Sequence, residues 1–596
     1  MKEERHMKKR LFSLAAMLLV LAMLAACGST AATPSATPTV SESAATAVAS
    51  TEAATAEANA DAEPAQTANA PVTLTFFHEA AMTESEVTDL ANNNVLKYIE
   101  EQTNIKLNFI MINISDGKQK MILSFASGDY PDGGFLDWNT LFTRAEVMQY
   151  GVSDKILLPL NQYIDKSAVE LKKIFDLRPN AKAAITAPDG NIYGLPRFSE
   201  CGHCMSYPKL WVNYDWMEKL GIKEPTTTAE LEAMLLAFKT KDPNGNGKAD
   251  EIALTGATEW SCPAENYLMN SFIYLQSNAA TANPVNYISL DASGKPSFVA
   301  NKPAFLTGLT WMKKLYDQGL IDPAAFTQTA ENLAQQCRSD AAVATVGAYT
   351  CDHMAMGIDF ANKEINAQYH ALPPVAGPDG VRFQPYADFV SQMSGFHFVL
   401  FDKCTNPEAA FRLADWMLSE DNLPIMHYGM ENVTWKKPAD ANAKNIMGGQ
   451  LKWIPIPLPQ NATQAEKDTA RQNSFWFGFM GDLLERRAEW SPAATDESLI
   501  NNYETRLEFE TQKTVKYWPK TNAPRSLFME KADSDKYTEE LMNINSHVRK
   551  NMAMFITGAR PLAEWDAYVN ELNQFNVDEY LSMYTKGYDA YVKNVK

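Results

Sequence analysis

The chain has 596 residues, a net charge of −19 at pH 7 and an aromatic content of 11%. Because nucleic acids and anionic lipid headgroups are themselves negatively charged, this acidic balance disfavours both as partners. The length is sufficient for two or more domains, each with its own hydrophobic core.

The first 27 residues have the pattern of a secretory signal. A basic cluster at 8–10 precedes sixteen uncharged residues at 11–26, fewer than the about 20 that a membrane-spanning helix needs. The run ends in LAACG, which resembles the lipobox of bacterial lipoproteins, in which the cysteine is acylated. The resemblance implies a lipid anchor at Cys27, on the outer face of the cell membrane. An ordinary signal peptide, in which Cys27 is incidental, is the alternative.

Residues 28–72 consist almost wholly of Ala, Thr, Ser, Glu and Pro, and they include no aromatic residue. Such a composition cannot bury enough apolar surface to form a core. We therefore predict a disordered tether over 28–72. It would hold the globular part, which begins at about residue 73, away from the membrane.

Alternating strand and helix patterns follow the tether. The segment VTLTFFHE (72–79) alternates apolar and polar residues and predicts a strand that ends at His78. Two later segments, 93–113 and 117–138, each predict a helix followed by a strand. This β–α alternation is typical of an α/β domain with a largely parallel sheet.

The motif CGHC at 201–204 has the spacing and the residues of a disulfide-isomerase redox site. Such a site needs its first cysteine exposed at a helix N-terminus, which lowers the thiol pKa. Here Pro208 stands where that helix should continue, so we expect no redox catalysis. An extracellular compartment permits a local disulfide, and whether Cys201 and Cys204 pair stays open.

The stretch DPNGNGKADE (242–251) separates a predicted helix from a predicted strand. The helix before it has a capping box at Thr227 and Glu230 and one apolar face. Counted from Asp242, the stretch matches an EF-hand calcium loop through its ninth position. It then departs from that pattern, because Ala253 holds the twelfth position.

Calcium prefers about six to eight oxygen ligands, and the loop offers a matching set of side-chain and carbonyl oxygens. The candidate ligands are Asp242, Asn244, Asn246, the carbonyl of Lys248, Asp250 and Glu251. Glu251 takes the place of the bidentate carboxylate, and Gly247 provides the sharp turn. We predict one structural Ca²⁺ ion. A turn-rich surface loop that needs no metal is the alternative.

Strand and helix patterns continue towards the C-terminus. The segment DAAVATVGAYT (340–350) predicts a strand, and 395–419 predicts a strand that leads into a long amphipathic helix. The remaining C-terminal part is mostly helical in pattern. No internal repeat of fixed period is visible, so a solenoid is not expected.

These features, in this order, resemble the extracellular solute-binding proteins of carbohydrate ABC importers. The closer resemblance is to a calcium-loop subfamily that includes alginate-oligosaccharide binders, whose loop has the same shortened form. The motifs that carry it are the lipobox, SGDYPD, YGLPR, LWVNYDWMEKLGI, PTTTAEL, DPNGNGKADEI, HYGMENVTW and FITGARPLAEWDAYV. Together they cover nearly the whole mature chain.

The resemblance implies an α/β, two-lobed periplasmic-binding-protein-like fold (type II), with a hinge and a central ligand cleft. In such a fold the chain crosses between the lobes more than once, so each lobe is discontinuous. We place lobe one at 73–200 plus 340–395, and lobe two at 201–339 plus 396–596.

The resemblance also implies a function. A monomeric, lipid-anchored binding protein, not an enzyme, captures an oligosaccharide or glycoside by hinge closure and delivers it to an ABC transporter permease. One alternative is the same fold binding peptides or another small solute, because fold does not determine ligand. A secreted glycan-degrading enzyme is less favoured, because the sequence shows neither a nucleophile elbow nor an HExxH motif.

Sugar sites combine aromatic platforms with planar polar side chains. We selected residues of these types at predicted strand ends, loops and crossing segments. The candidate ligand-binding residues are His78, Trp138, Tyr193, Arg197, Trp260, Tyr386, Asp388 and Trp435. For each of them, packing in a core or bracing of the hinge is the alternative.

Overall fold

The computed structural model describes residues 71–80, 92–113, 116–136, 141–276, 285–339, 342–393, 395–459, 461–474 and 483–595. Residues Ala68–Lys596 form one compact unit. The predicted signal, lipobox and nearly all of the tether lie outside the described residues. Among the residues that are described, no helix is both long enough and apolar enough to cross a membrane.

The strands are short and fall into small sheets. They are β1 (Val72–Ala80), β2 (Ile105–Asn113), β3 (Gly133–Phe135), β4 (Gly194–Leu195), β5 (Phe198–Ser199), β6 (Lys209–Asn213), β7 (Ile288–Leu290), β8 (Pro296–Phe298), β9 (Ala348–Cys351), β10 (Tyr369–Leu372), β11 (Phe398–Leu400), β12 (Trp435–Lys436), β13 (Ile454–Pro455) and β14 (Leu484–Glu485).

Helices make up most of the regular structure. The α-helices are Asn94–Thr103, Gly117–Ser127, Arg144–Glu146, Asn161–Ser167, Glu170–Leu177, Pro179–Ile185, Tyr214–Leu220, Thr228–Thr240, Ala264–Met269, Pro303–Asp317, Ala330–Cys337, Lys363–Gln368, Phe389–Gln392, Pro407–Met417, Leu423–Tyr428, Gln464–Asn473, Asp496–Asn501, Tyr503–Gln512, Lys531–Thr557, Trp565–Gln574 and Val577–Val595. Short 3₁₀ turns and one π-helical turn (Val147–Ser153) join several of them.

A five-stranded sheet in the order β2-β1-β3-β11-β4 organises the first core. β1 runs parallel to β2 and β3, as the β–α alternation predicts, whereas β11 is antiparallel to β3 and β4. Leu74 and Phe76, alternating apolar residues of β1, are fully buried. The ring of Phe76 meets that of Phe135 edge-to-face, with the centroids 4.6 Å apart, so the sheet face is closed by aromatic packing.

The second core surrounds a three-stranded antiparallel sheet in the order β10-β6-β9. Beside it lies the helix Thr228–Thr240, which begins at the predicted capping box. The Oγ1 of Thr227 accepts from the backbone N–H of Glu230, and the Glu230 carboxylate accepts from the N–H of Thr227, both at 3.2 Å. The segment EIALTG, predicted as a strand, forms only isolated parallel bridges, such as Ile252 with Val346.

The chain passes between the two cores three times. The first core contains buried apolar residues from 74–198 and 389–490, and the second core those from 210–375 and 507–584. The segments that join them are 199–209 (first crossing), 376–388 (second crossing) and 491–506 (third crossing). A small number of connecting segments between two cores is the arrangement that permits hinge motion.

The predicted lobe boundaries are wrong for the two returning segments. β9 and β10 lie in 340–395, which we expected in lobe one, but both pair with β6 of the second core. β11 lies in 396–596, which we expected in lobe two, but it pairs with β3 and β4 of the first core. The reason is that local apolar patterns predict strands but do not specify partners that are distant in sequence.

A buried carboxylate fastens the helix Tyr503–Gln512 to β10. Glu510 is fully buried and accepts from His370 Nδ1 at 2.8 Å, Ala371 N at 3.0 Å, Arg506 Nε at 3.0 Å and Lys513 Nζ at 2.6 Å. Burial alone would raise the pKa of this carboxyl, but its hydrogen bond with His370 and the neighbouring positive charges lower it to about 2. Glu510 is therefore ionised and fully paired.

Candidate ligand and calcium sites

A surface depression of about 320 Å³ lies where the first and second crossings meet the second core. Pro208 of the first crossing and Pro385 of the second crossing form part of its wall. The other lining residues come from the second core and its loops: Trp260, Ser261, Pro263, Asn266, Asn270, Leu275, Gln276 and Val285. Most of this space is open to solvent, and the enclosed part is about 20 Å³, which is room for about one water molecule.

Trp260 is the exposed aromatic residue of this depression, with 55% of its surface accessible. A tight turn presents it, closed by a hydrogen bond of 3.2 Å from the Ala257 N–H to the Cys262 carbonyl. A Cβ on Gly256 would lie 2.6 Å from that carbonyl oxygen, so the turn requires glycine there. Trp260 itself has φ of +53°, a backbone conformation that costs energy for a bulky residue.

The polar side chains of the depression are uncharged, namely the hydroxyl of Ser261 and the amides of Asn266, Asn270 and Gln276. Asn270 donates to the carbonyl of Asn266 at 2.9 Å and accepts from the N–H of Leu275 at 2.9 Å, so both of its ends are occupied. Gln276 donates to the Ala523 carbonyl at 2.9 Å. The Oδ1 of Asn266 is buried without a hydrogen-bond partner among the described residues, so its acceptor capacity is unused in this conformation.

A second aromatic group lies on the second crossing beside the depression. Tyr386 stacks on Trp518, with ring centroids 4.2 Å apart and an interplanar angle of 21°. The Tyr386 carbonyl accepts from the hydroxyl of Tyr274 at 2.7 Å, which fixes the backbone at this point. Burial raises the pKa of Tyr386 to about 12, so its phenol is neutral and able to donate at pH 7.

Three of the candidate ligand residues lie in the first core. His78 is fully buried, Tyr193 is 1% exposed and Trp435 is 4% exposed. The Nδ1 of His78 donates to the carbonyl of Phe135 at 2.8 Å, and the Nε1 of Trp435 donates to the carbonyl of Gly429 at 2.7 Å. These three side chains are packed in the core, which is the alternative to ligand binding that the sequence analysis gives for each of them.

The remaining candidates are dispersed. Arg197 is half-buried in the turn between β4 and β5. Asp388 caps the helix Phe389–Gln392 by accepting from the N–H of Ser391 at 2.9 Å, and burial raises the pKa of its carboxyl. Trp138 and Cys27 lie outside the described residues. The structure therefore brings Trp260 and Tyr386 to the junction of the crossings and places the others elsewhere.

The sequence analysis did not select Asn266, Asn270 or Gln276. They follow Trp260 closely in the chain, and Asn266 and Asn270 are four residues apart on one side of the helix Ala264–Met269 and its end. That spacing shortly after a tryptophan is the sequence signal that points to them, although it shows neither their exposure nor their hydrogen bonding.

The loop 242–251 folds around its own carboxylates. The carboxylate of Asp242 accepts from the N–H groups of Gly245, Asn246 and Gly247 at 3.0–3.1 Å. Both Gly245 and Gly247 have positive φ, +74° and +73°, which glycine adopts without a steric penalty. The amide nitrogens of Asn244 and Asn246 both donate to the Asp250 carboxylate at 3.2 Å, so the side chains of the loop converge at this centre.

The donor set at this centre fits a calcium ion. Glu251 is 8% exposed, and its Oε1 has no hydrogen-bond partner among the described residues. Burial, and the charges of Asp242 and Asp250 beside it, raise the pKa of the Glu251 carboxyl. Three carboxylates near one another, one of them with an unpaired buried oxygen, create a negative centre that a hard divalent cation would neutralise.

Comparison with known proteins identifies the family and several relatives of this chain. A family model described as bacterial extracellular solute-binding protein matches residues 83–423. The chain is 27% identical over 521 residues, 84% of its length and 87% of the relative, to the fructooligosaccharide ABC transporter substrate-binding protein FusA of Streptococcus pneumoniae serotype 4. It is 23% identical over 359 residues, 58% of its length and 64% of the relative, to the polygalacturonan/rhamnogalacturonan-binding protein YtcQ of Bacillus subtilis.

Solved structures share the fold. S. pneumoniae FusA in complex with kestose has a TM-score of 0.62 at 24% identity, covering 88% of this chain and 100% of that chain. A FusA EF-hand mutant in complex with fructo-nystose gives the same values. A solute-binding protein of Bifidobacterium longum subsp. infantis has a TM-score of 0.69 at 20% identity, covering 88% of this chain and 99% of that chain.

The alginate-binding protein AlgQ2, solved without calcium ion, has a TM-score of 0.56 at 21% identity, covering 89% of this chain and 100% of that chain. These matches confirm the predicted two-lobed α/β fold of type II, with discontinuous lobes. The matched family and the relative FusA are described as solute-binding and substrate-binding proteins, not enzymes, as the sequence predicts for this chain. The chain is thus a member of the bacterial extracellular solute-binding proteins.

Proposed function

We propose that this chain captures a neutral oligosaccharide outside the cell and delivers it to the permease of an ABC importer. The observation that carries the proposal is the depression at the crossings, where Trp260 stands exposed beside uncharged amides. Sugar rings present C–H faces that pack on aromatic rings, and hydroxyls that pair with planar polar groups. FusA, named for fructooligosaccharides, supports the same class of cargo.

The charge around the depression favours a neutral sugar over a uronate. No described residue that lines it is charged, so a sugar carboxylate would lose water there without gaining an ion pair. Glu259, next to Trp260 in the chain, adds like charge, whereas burial raises the pKa of the Glu265 carboxyl. An uncharged depression favours the type of cargo named for FusA over that named for YtcQ, a polygalacturonan/rhamnogalacturonan-binding protein.

The protein captures its ligand by closure of the two lobes around it. Pro208 and Pro385 belong to the first and second crossings, so a sugar in the depression contacts the segments about which the lobes bend. A ligand shifts an open–closed equilibrium only by its difference in affinity for the two states. Contacts with both the second core and the crossings supply that difference, and the closed, loaded form is the one that a permease recognises.

A structural Ca²⁺ ion in the loop 242–251 is part of the proposal. The Asp242, Asp250 and Glu251 carboxylates, the side-chain oxygens of Asn244 and Asn246 and the carbonyl of Lys248 would hold it. The ion supplies charge neutralisation and fixes the loop that follows the helix Thr228–Thr240. Two relatives support this assignment. One solved structure is of an EF-hand mutant of FusA, and another is of AlgQ2 without calcium ion.

A lipid anchor at Cys27 completes the proposal. Its support is the lipobox in the sequence and the tether that follows it, because two acyl chains hold a protein stably at a membrane. The test is metabolic labelling with a radioactive fatty acid in cells that express the wild type or Cys27→Ala. Label on the wild type alone supports the anchor, and equal labelling of the variant refutes it.

The function itself is tested by a thermal-shift panel on the full-length protein in detergent with calcium present. The panel contains kestose, nystose, oligogalacturonates and short peptides. A ligand at about 100 times its Kd adds about 2.7 kcal/mol to stability, which shifts the melting temperature by several degrees. A response to the neutral sugars, recovered intact, supports the proposal. A response only to oligogalacturonates or peptides overturns the ligand class, and sugar cleavage would restore the enzyme alternative.

A further inference from the structure

The CGHC motif has no role in the proposed function, yet it lies in the first crossing, one of the segments that connect the lobes. We call the region where the crossings contact one another the joint. Cys201 and Cys204 form a disulfide within the first crossing, which answers the question that the sequence left open. Only a short 3₁₀ turn, His203–Met205, follows, so the helix of a disulfide isomerase is missing here. Cys201 is fully buried, whereas Cys204 is half-buried.

This disulfide loop is bonded to the second crossing. The N–H of Ala387 donates to the carbonyl of Met205 at 2.7 Å. The side chain of Gln384, itself fully buried, donates to the carbonyl of Pro208 at 2.7 Å. These two hydrogen bonds, one from a backbone N–H and one from a side-chain amide, hold the first and second crossings in register.

The same loop is bonded to the third crossing and to the helix that continues it. The Nε2 of His203 contacts the Glu504 carboxylate at 2.9 Å, and the His203 N–H donates to the Glu508 carboxylate at 3.1 Å. Gly202 packs so closely that a Cβ there would lie 2.3 Å from an oxygen of Glu508. The disulfide loop is therefore the point at which all three crossings are joined.

We propose that the Cys201–Cys204 disulfide is a reversible redox site that sets the rigidity of this joint. With the bond formed, the loop keeps the shape that engages the second and third crossings. When a dithiol reductant opens the bond, the loop loses its covalent constraint and the three crossings become free to move independently. This inference does not depend on which ligand the protein carries.

In this thiol–disulfide exchange, the dithiol reductant supplies all of the electrons and protons that the reaction needs. A thiolate of the dithiol attacks the Sγ of Cys204, the more exposed sulfur, and Cys201 leaves with the bonding electron pair. The second thiol of the reductant then displaces Cys204 and closes the reductant's own disulfide. Two electrons pass to the protein, and the two thiol protons of the reductant end on Cys201 and Cys204. The His203 ring, whose nitrogens lie 4.0 Å from the Cys204 sulfur, is placed to pass a proton.

Hydrogen–deuterium exchange of the full-length protein, with and without dithiothreitol, tests the proposal. The background carries Cys404→Ser, because Cys404 is the half-buried member of the free cysteines. Removing the constraint of a four-residue ring is expected to raise local opening by about twentyfold. We therefore expect faster exchange in 199–209, 376–388 and 491–506 after reduction, with β1 and β6 still protected.

The double variant Cys201→Ser/Cys204→Ser is the matched control. It should show the fast exchange without reductant and should not respond to dithiothreitol. Maleimide labelling should find two new reactive thiols in the reduced parent and none in the variant. The proposal fails if native protein resists reduction, if exchange in the crossings is unchanged on reduction, or if β1 and β6 lose protection to the same extent.

Discussion

Truncation of Trp260 is the most direct test of the ligand site. The side chain is 55% exposed, which leaves about 140 Å² of a tryptophan for a sugar to cover. At about 25 cal/mol per Å², complete coverage would contribute about 3.5 kcal/mol and half coverage about 1.8 kcal/mol. Trp260→Ala should therefore weaken binding by a factor of about 20 to 350. The stability of the free protein should change little, because an exposed side chain loses few contacts.

The assay is isothermal calorimetry with the sugar that gives the largest thermal shift, with kestose tried first. Met542→Ala is the control, since Met542 is similarly exposed (56%) and is not among the residues that line the depression. The control should bind like the wild type. If Trp260→Ala binds the sugar as tightly as Met542→Ala does, the depression is not the site and the reasoning from exposure fails.

Three further predictions concern the calcium loop, the buried carboxylate and the turn that carries Trp260. Glu251→Ala should lose one equivalent of Ca²⁺ by elemental analysis and melt at a lower temperature that EDTA no longer changes; an unchanged calcium content contradicts the site. Glu510→Gln should lower stability at pH 7 by about 3 kcal/mol in chemical denaturation. The pKa of Glu510 is depressed in the folded state to about 2, from 4.5, so its contribution is present above pH 4.5 and is lost as the pH falls towards 2. The variant should lack that acid-dependent component, and an unaltered pH profile would count against the network. Gly256→Ala should reduce sugar binding about as much as Trp260→Ala, because the new Cβ displaces the turn; wild-type affinity in calorimetry would show that the turn tolerates it.

Local signals in the sequence predict the first half of the fold well. The alternation in 72–79 and the capping box at Thr227 both describe features that neighbouring residues decide, and the structure has β1 and a helix start at those places. The position of β11 in the first sheet depends on β3 and β4, far back in the chain. Sequence patterns carry no such information, which is why the return of the chain was assigned to the wrong lobe.

The candidate ligand site also depends on contacts between segments that are distant in sequence. Trp260 and Trp435 look alike in sequence, each an aromatic residue next to a turn. One is 55% exposed and the other 4%, because the core that covers Trp435 is assembled from distant segments. Asn266 was overlooked because it lies in a mostly apolar helix, where a polar residue attracts attention only once its unpaired oxygen is visible. Exposure and hydrogen-bond pairing are properties of the assembled molecule.

The threefold crossing has a consequence for how the protein is made. A chain exported through a membrane emerges from its N-terminus, and the first core cannot be completed until β11 and the segment up to residue 490 have followed β1. The second core is completed later still, because the C-terminal helices supply its buried residues up to 584. Contacts so distant in sequence slow folding. During export, nearly the whole chain is therefore outside the membrane before either lobe is finished, and the apolar surfaces of both must be kept from aggregating until the last helix arrives.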